Sequence, residues 1–262
     1  MNILIIGSCS EEFCNLIKQS KYSTRVYTAT SYPLDNFPNV DFQSIEDLCE
    51  KAKVLHIDVA ILMDKSLIKQ GVVELFKKNR VNLISPNSKW FNLETSRIIA
   101  KQLAYHYSIN TPLFLKAPVA FPIVMKTDIP KCSVIVNSIE ELVAKKQDLG
   151  NEKTFLEEFF QGEVCSILLL WDGKTLLDFE PEDLTEVQSD RLKLFITKLS
   201  FLLSDENADF IGFFVSKLIW SKNDWYLLEF KMGIDENLAI KTLNKDIVYL
   251  IKSAIYQNLN EL

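Results

Sequence analysis

Glycine is scarce in this chain, with seven residues in 262. Loops that fold backbone N–H groups around a phosphate or a substrate rely on conformations open mainly to glycine, so seven are too few for several such loops. Histidine is scarcer still, limited to His56 and His106. There is no H-E-x-x-H run and no Cys/His cluster, which argues against a zinc site. His106 lies in an aromatic helix end, Ala104-Tyr105-His106-Tyr107, and reads as packing. The five cysteines (Cys9, Cys14, Cys49, Cys132 and Cys165) are odd in number, scattered and without a C-x-x-C pair. They read as reduced, mostly buried thiols and not as a disulfide framework. No basic cluster is present and the net charge is -6, which argues against nucleic acid as a partner. No apolar run approaches the roughly 20 residues needed to span a bilayer, and Met1 to Gly7 has no basic flank or cleavage site. No membrane partner and a cytoplasmic location are therefore expected.

What is present is an ordinary globular composition, 48% hydrophobic and 24% charged, long enough for two linked domains or one large one. The opening run Asn2 to Ile6 is closed by Gly7 and followed by helical periodicity over Glu11 to Lys18, the start of a Rossmann-like unit. The turn between them, Gly7-Ser8-Cys9-Ser10-Glu11-Glu12, places two carboxylates in the first helical turn. They satisfy the helix dipole and repel a phosphate, so this reads as a structural turn. Alternation continues with a strand over Thr24 to Thr28, a helix over Ser44 to Ala52, a strand over Val59 to Met63, a helix over Ser66 to Lys78 and a strand over Val81 to Ile84. This order predicts a parallel sheet covered on both faces. A long helix is predicted over Ser88 to Tyr107. Beyond Thr111-Pro112 short strands dominate: Ile123 to Thr127, Val134 to Val136, Thr154 to Phe159, Val164 to Trp171 and Thr175 to Phe179, the last two joined at Asp172-Gly173. A capping box at Ser138-x-x-Glu141 opens one helix among them. Two further helices, Gln188 to Leu203 and Leu243 to Leu259, flank a hairpin.

That hairpin joins Ile211 to Trp220 with Trp225 to Lys231 across the polar turn Ser221 to Asp224. Strict alternation puts Tyr226, Leu228 and Phe230 on one face and Trp225, Leu227, Glu229 and Lys231 on the other. Glu229 and Lys231 then stand roughly 6 to 7 Å apart at one end of the strand, close enough to pair or to share a ligand.

Several stretches in sequence order resemble the phosphoribosylamine-glycine ligases, ATP-grasp enzymes of purine biosynthesis. They are Asn2 to Ser8; Leu93-Glu94-Thr95-Ser96-Arg97 with Ala100-Lys101; Tyr107 to Pro112; Pro122 to Lys126; Glu157-Glu158-Phe159 with Gly162-Glu163; Trp171 to Phe179; and Gly212 to Lys231. The resemblance covers nearly the whole chain. It implies an α/β architecture, with a Rossmann-like pre-ATP-grasp domain over 1–110 followed by an ATP-grasp α+β module. That module would comprise a lid subdomain over 111–180 and a second subdomain over 181–262. The implied reaction makes an acyl phosphate from a carboxylate and ATP, which an amine then attacks; the implied partners are an adenine nucleotide and small carboxylate and amine substrates. Cations must gather around the transferring phosphoryl group. Lys101 and Lys126 fall where the family places phosphate-contacting lysines. Glu157, Glu158, Phe159 and Glu163 fall in the segment that holds adenine and ribose. Glu229 falls at the carboxylate that binds Mg²⁺, with Asp235 or Glu236 as a second candidate.

The departures are as specific as the matches. The lid loop is reduced to Thr127-Asp128-Ile129-Pro130-Lys131-Cys132-Ser133, without glycine and with a proline that lacks a donor. Lys131 is the residue left to reach a phosphate. An E-F-N at the metal strand is Glu229-Phe230-Lys231, which exchanges an amide ligand for an ammonium that cannot ligate. The chain also stops where the family's C-terminal domain would begin. Three readings follow: an altered carboxylate-amine ligase with Lys131 and Lys231 at the reaction centre; a relative that binds a nucleotide without turnover, Lys231 replacing the metal's charge and pairing with Glu229 in the empty site; and a ligase of changed substrate.

Overall fold

The computed structural model describes residues 1–118 and 120–262. The chain opens with β1 (Asn2–Ile6), α1 (Glu11–Lys18), β2 (Arg25–Ala29), α2 (Ile45–Val54), β3 (Val59–Leu62), α3 (Val72–Lys78), β4 (Asn82–Ile84), α4 (Ser88–Thr95) and α5 (Arg97–His106). The four strands pair in parallel in the order β2-β1-β3-β4. β3 is buried at every position and β1 at all but its first, as a sheet covered on both faces requires.

Two of the predicted helices are interrupted. Over Ser66 to Lys78 a 3-10 turn, Lys65–Gln70, runs into Gly71, whose φ of 88° restarts the chain as α3. Over Ser88 to Tyr107 the helix breaks at Ser96, which has extended φ and ψ of -135° and 108°. Ser96 is the N-cap of α5: its Oγ accepts the N–H of Ile99 at 3.2 Å and donates to Asp128 Oδ1 at 2.7 Å. A serine that can satisfy helix-start donors competes with helix continuation, and here it wins.

The middle stretch contains β5 (Phe114–Leu115), β6 (Ile123–Thr127), β7 (Ser133–Val136), α6 (Ile139–Leu149) and β8 (Thr154–Glu158), forming an antiparallel sheet in the order β5-β8-β6-β7. β9 (Glu163–Trp171) and β10 (Leu176–Phe179) follow, then α7 (Glu186–Asp205), β11 (Gly212–Ser221), β12 (Asp224–Met232), α8 (Glu236–Thr242) and α9 (Ile247–Ile255). The third sheet is antiparallel in the order β10-β9-β11-β12. The strands expected in one unit over 111–180 are therefore shared between two sheets. The helix expected over Leu243 to Leu259 starts later, because Asp246 accepts the N–H groups of Val248 and Tyr249 and caps α9.

The expected alternation along Trp225 to Lys231 fails at Leu228. Lys217 lies opposite Glu229 and Leu218 opposite Leu227, so Leu228 is an extra residue on β12. This β-bulge turns Phe230 and Met232 onto the buried face with Trp225 and Leu227, all four in one core. Glu229 and Lys231 are thereby turned to the opposite face.

The first and third sheets share their cores: Leu4, Ile6 and Leu62 pack in one cluster with Ile167, Phe214 and Trp225, and Ile3, Ile5 and Phe13 in another with Leu168, Phe213 and Ile251. The middle sheet has a small core of its own, Ile123, Met125, Val136, Leu142 and Leu156. Gly162, in the link from β8 to β9, lies against the end of β11, where a Cβ would sit 1.9 Å from the Trp220 carbonyl oxygen. No helix among the described residues is long and apolar enough to cross a membrane.

Candidate functional site: a cationic cleft

A cleft of about 180 Å³ opens between α4 and α5, the β6–β7 turn and β12. α5 places Arg97 and Lys101 four residues apart, hence on one face of the helix. Arg97 and Lys101 line the cleft together with Glu94, Pro130, Glu229 and Lys231.

Behind Lys101 lies a buried triad. Glu157 of β8, with only 1% of its side chain exposed, receives Lys101 Nζ on one oxygen at 2.8 Å and Lys126 Nζ on the other at 2.5 Å. Sheet register explains the second contact. Lys126 pairs with Phe155 and Val124 with Glu157, so Lys126 and Glu157 are diagonal neighbours on one face. Lys101 also donates to Thr111 Oγ1 at 2.9 Å and to the Pro112 carbonyl at 2.5 Å. All three of its donors are engaged. Burial pushes the Lys101 ammonium below the ordinary lysine range, with Glu157 opposing that shift.

At the mouth, Glu229 Oε2 accepts from Arg97 Nη2 at 3.1 Å and Oε1 from Lys217 Nζ at 3.4 Å. Burial drives the Glu229 carboxyl up, but Lys217 and Arg97 together outweigh it and hold the group below its usual range. The pairing of Glu229 with Lys231 expected for an empty site does not form. Lys231 bonds to Asp235 at 2.6 Å, because the bulge sets β12 so that Glu229 faces Lys217 directly across the ladder.

The remaining predicted residues are dispersed. Lys131 pairs with Glu152 at 2.7 Å and is mostly exposed, outside the cleft lining. Glu158 accepts the Leu113 N–H at 3.1 Å, facing away from Glu157 along the strand. Phe159 is half-buried just past the end of β8, and Glu163 is exposed at the start of β9 opposite Trp220. Asp235 caps α8 through the Leu238 N–H, and Glu236 accepts from the backbone and side chain of Ser10 at 2.8 and 2.9 Å.

These pairings bear on how Mg²⁺ could be held. Among the described residues no three His, Cys, Asp or Glu side chains converge. Glu229, Glu94 and Asp235 each already face a cation, Glu94 through Lys65 at 2.7 Å. Mg²⁺ at a nucleotide site is held by one or two carboxylates together with phosphate oxygens and waters, and here each candidate carboxylate faces a cation that the metal ion would have to displace. Two residues without an assigned role in the sequence reading prove central. Arg97 binds Glu229, the Thr127 carbonyl at 3.2 Å and the Cys132 carbonyl at 2.8 Å. Lys217 is the one charged residue of β11, and that isolation is the signal that marks it.

A parallel sheet followed by two antiparallel sheets, with cations gathered in the cleft beside the third, is the ATP-grasp fold. Within that class the chain is related along its whole length to phosphoribosylamine-glycine ligases. The enzyme of Fusobacterium nucleatum is 23% identical, with 100% of this chain and 75% of the relative covered. The crystal structure of the phosphoribosylamine-glycine ligase from Thermotoga maritima superimposes with a TM-score of 0.77 at 18% identity, covering 98% of this chain and 76% of that one. The biotin carboxylase domain of the Hydrogenobacter thermophilus 2-oxoglutarate carboxylase, solved with MgADP, ADP and bicarbonate, gives 0.71 at 12% identity over 96% of this chain and 69% of that one. No protein-family model matches the chain.

Proposed function

We propose that the chain binds an adenine nucleotide in the cationic cleft and follows the plan of an ATP-dependent ligase that joins a carboxylate to an amine in purine biosynthesis. The observation that carries this reading is the buried Lys101–Glu157–Lys126 triad behind the cleft. Two ammonium groups share one carboxylate there, an arrangement that leaves positive charge for phosphate oxygens. Lys126 has donors beyond its contact with Glu157, so it would take a phosphate with less rearrangement than Lys101. On this reading residues 1–110 form the pre-ATP-grasp unit, and the middle sheet and the third sheet, which takes in β9 and β10, form the halves that enclose the nucleotide. A cleft of about 180 Å³ is smaller than the roughly 300–1,000 Å³ of typical ligand sites. Binding therefore requires the middle sheet, which has its own core, to swing away from the third. Free thiols and a nucleotide ligand suit a cytoplasmic location.

A second reading, nucleotide binding without turnover, is favoured by the β6–β7 turn. Its backbone donors are consumed within the protein: Thr127 N–H by the Cys132 carbonyl, Asp128 N–H by that of Lys153, Lys131 N–H by that of Ile129, and Cys132 N–H by Thr127 Oγ1. Such a turn has few N–H groups to offer a transferring phosphoryl group. Titration calorimetry with ATP tests binding, and release of phosphate with glycine and phosphoribosylamine tests turnover. Absence of binding heat under all conditions refutes both readings. Binding without product at high enzyme concentration selects the second.

A further inference from the structure

The carboxylate that a divalent cation would need is held by two cations of the protein itself. Glu229 has its oxygens on Arg97 and Lys217. The neighbouring acids are matched as well, Glu94 by Lys65 and Asp235 by Lys231. In the bonded network around the cleft, four cations (Arg97, Lys101, Lys126 and Lys217) face two carboxylates (Glu157 and Glu229). That leaves an excess of two positive charges, which repels a metal ion and attracts a polyphosphate. A further donor is free: the buried Nε of Arg97 has no hydrogen-bond partner among the described residues. Buried donors of this kind are rarely left alone in a native structure.

We propose that the cleft takes the phosphates of a nucleotide without a divalent cation, with Arg97 and Lys217 supplying the countercharge and Glu229 as the internal anion that the phosphates displace. The inference rests on the nucleotide reading above. The guanidinium fork of Arg97 suits phosphate oxygens as well as it suits a carboxylate, and its charge is permanent. The exchange is isosteric in kind: phosphate oxygens replace Glu229 Oε1 and Oε2 as acceptors. Glu229, with 31% of its side chain exposed, has a path to water when it lets go. Because Arg97 also holds the Thr127 and Cys132 carbonyls, the group that binds phosphate is the one that ties the β6–β7 turn to β12. Release of Glu229 therefore loosens the closed cleft at the moment a ligand arrives.

Calorimetric titration of ATP into the intact chain, in excess magnesium chloride and separately in excess EDTA, tests the proposal. The dissociation constants are expected to agree within about threefold. Glu229→Gln removes the competing anion, and its affinity in EDTA should rise about tenfold. Lys217→Met, a change at a half-exposed position that keeps the fold, should weaken binding in EDTA about tenfold; thermal unfolding of each variant verifies folding. A strict requirement for Mg²⁺, or weaker binding by the folded Glu229→Gln protein, overturns the proposal and leaves the nucleotide reading standing. No binding by wild type or variants in either buffer overturns both.

Discussion

Replacing Glu157 with Gln gives the sharpest test of how the buried triad is balanced. The carboxylate touches Lys101 at 2.8 Å and Lys126 at 2.5 Å. At an effective dielectric of about 20, each contact is worth about 6 kcal/mol of gross attraction. Most of that offsets the cost of dehydrating three charges, so the intact triad contributes little net stability. Removal of one member is asymmetric, because two buried ammonium groups lose their counterion. The expected loss is about 3–5 kcal/mol of unfolding free energy at neutral pH, measured by urea denaturation. The pH dependence carries the diagnosis. Burial already places the folded-state Lys101 value below 10.5, and loss of Glu157 lowers it further. Between that folded value and the unfolded one, the unfolded chain binds more protons, so stability rises with pH. The deficit of Glu157→Gln should therefore be largest near neutrality and shrink as the pH climbs toward about 10. A loss under about 1 kcal/mol, or a deficit that grows with pH, refutes the reasoning. The triple variant Lys101→Met, Glu157→Met, Lys126→Met removes all three charges together and should be close to wild-type stability.

Lys126→Ala should weaken nucleotide binding by about 1–3 kcal/mol in calorimetry if the ammonium makes a charge-assisted phosphate contact; an unchanged dissociation constant counts against the assigned cleft. Asp128→Asn should cost about 1–2 kcal/mol at neutral pH, since the carboxylate accepts from the Ile98 N–H and from Ser96 at the start of α5. Burial raises the Asp128 carboxyl, but those bonds and Lys153 hold it below its ordinary value of 3.8. Its contribution is thus complete above that value and disappears as pH falls through the folded one, so the two proteins should converge in acid denaturation curves.

The strand and helix order was legible because each element carries a local signature: short continuous apolar runs for β3 and β9, and Ser or Thr caps for α1, α2, α6 and α7. The break at Ser96 was not, since its cause is Asp128, 32 residues along the chain and close only after folding. The same holds for Glu229. Its face on β12 depends on a bulge defined only by register against β11, and its partner Arg97 lies 132 residues away. Family resemblance located Lys101, Lys126 and Glu157 as separate candidates. That one buried carboxylate joins the two lysines is a property of the antiparallel pairing of β6 with β8, which no local pattern encodes.

The crossing at Gly162, where a single added carbon would overlap the Trp220 carbonyl oxygen, also sets how closely the two antiparallel sheets can lie. Backbones that touch so closely leave no room for a side chain between the end of the middle sheet and the end of β11. Even alanine there would pry up the tip of the hairpin that carries Glu229 and leave both sheets folded but out of alignment. In a chain that does without glycine almost everywhere else, this one is where a methyl group would do the greatest mechanical damage.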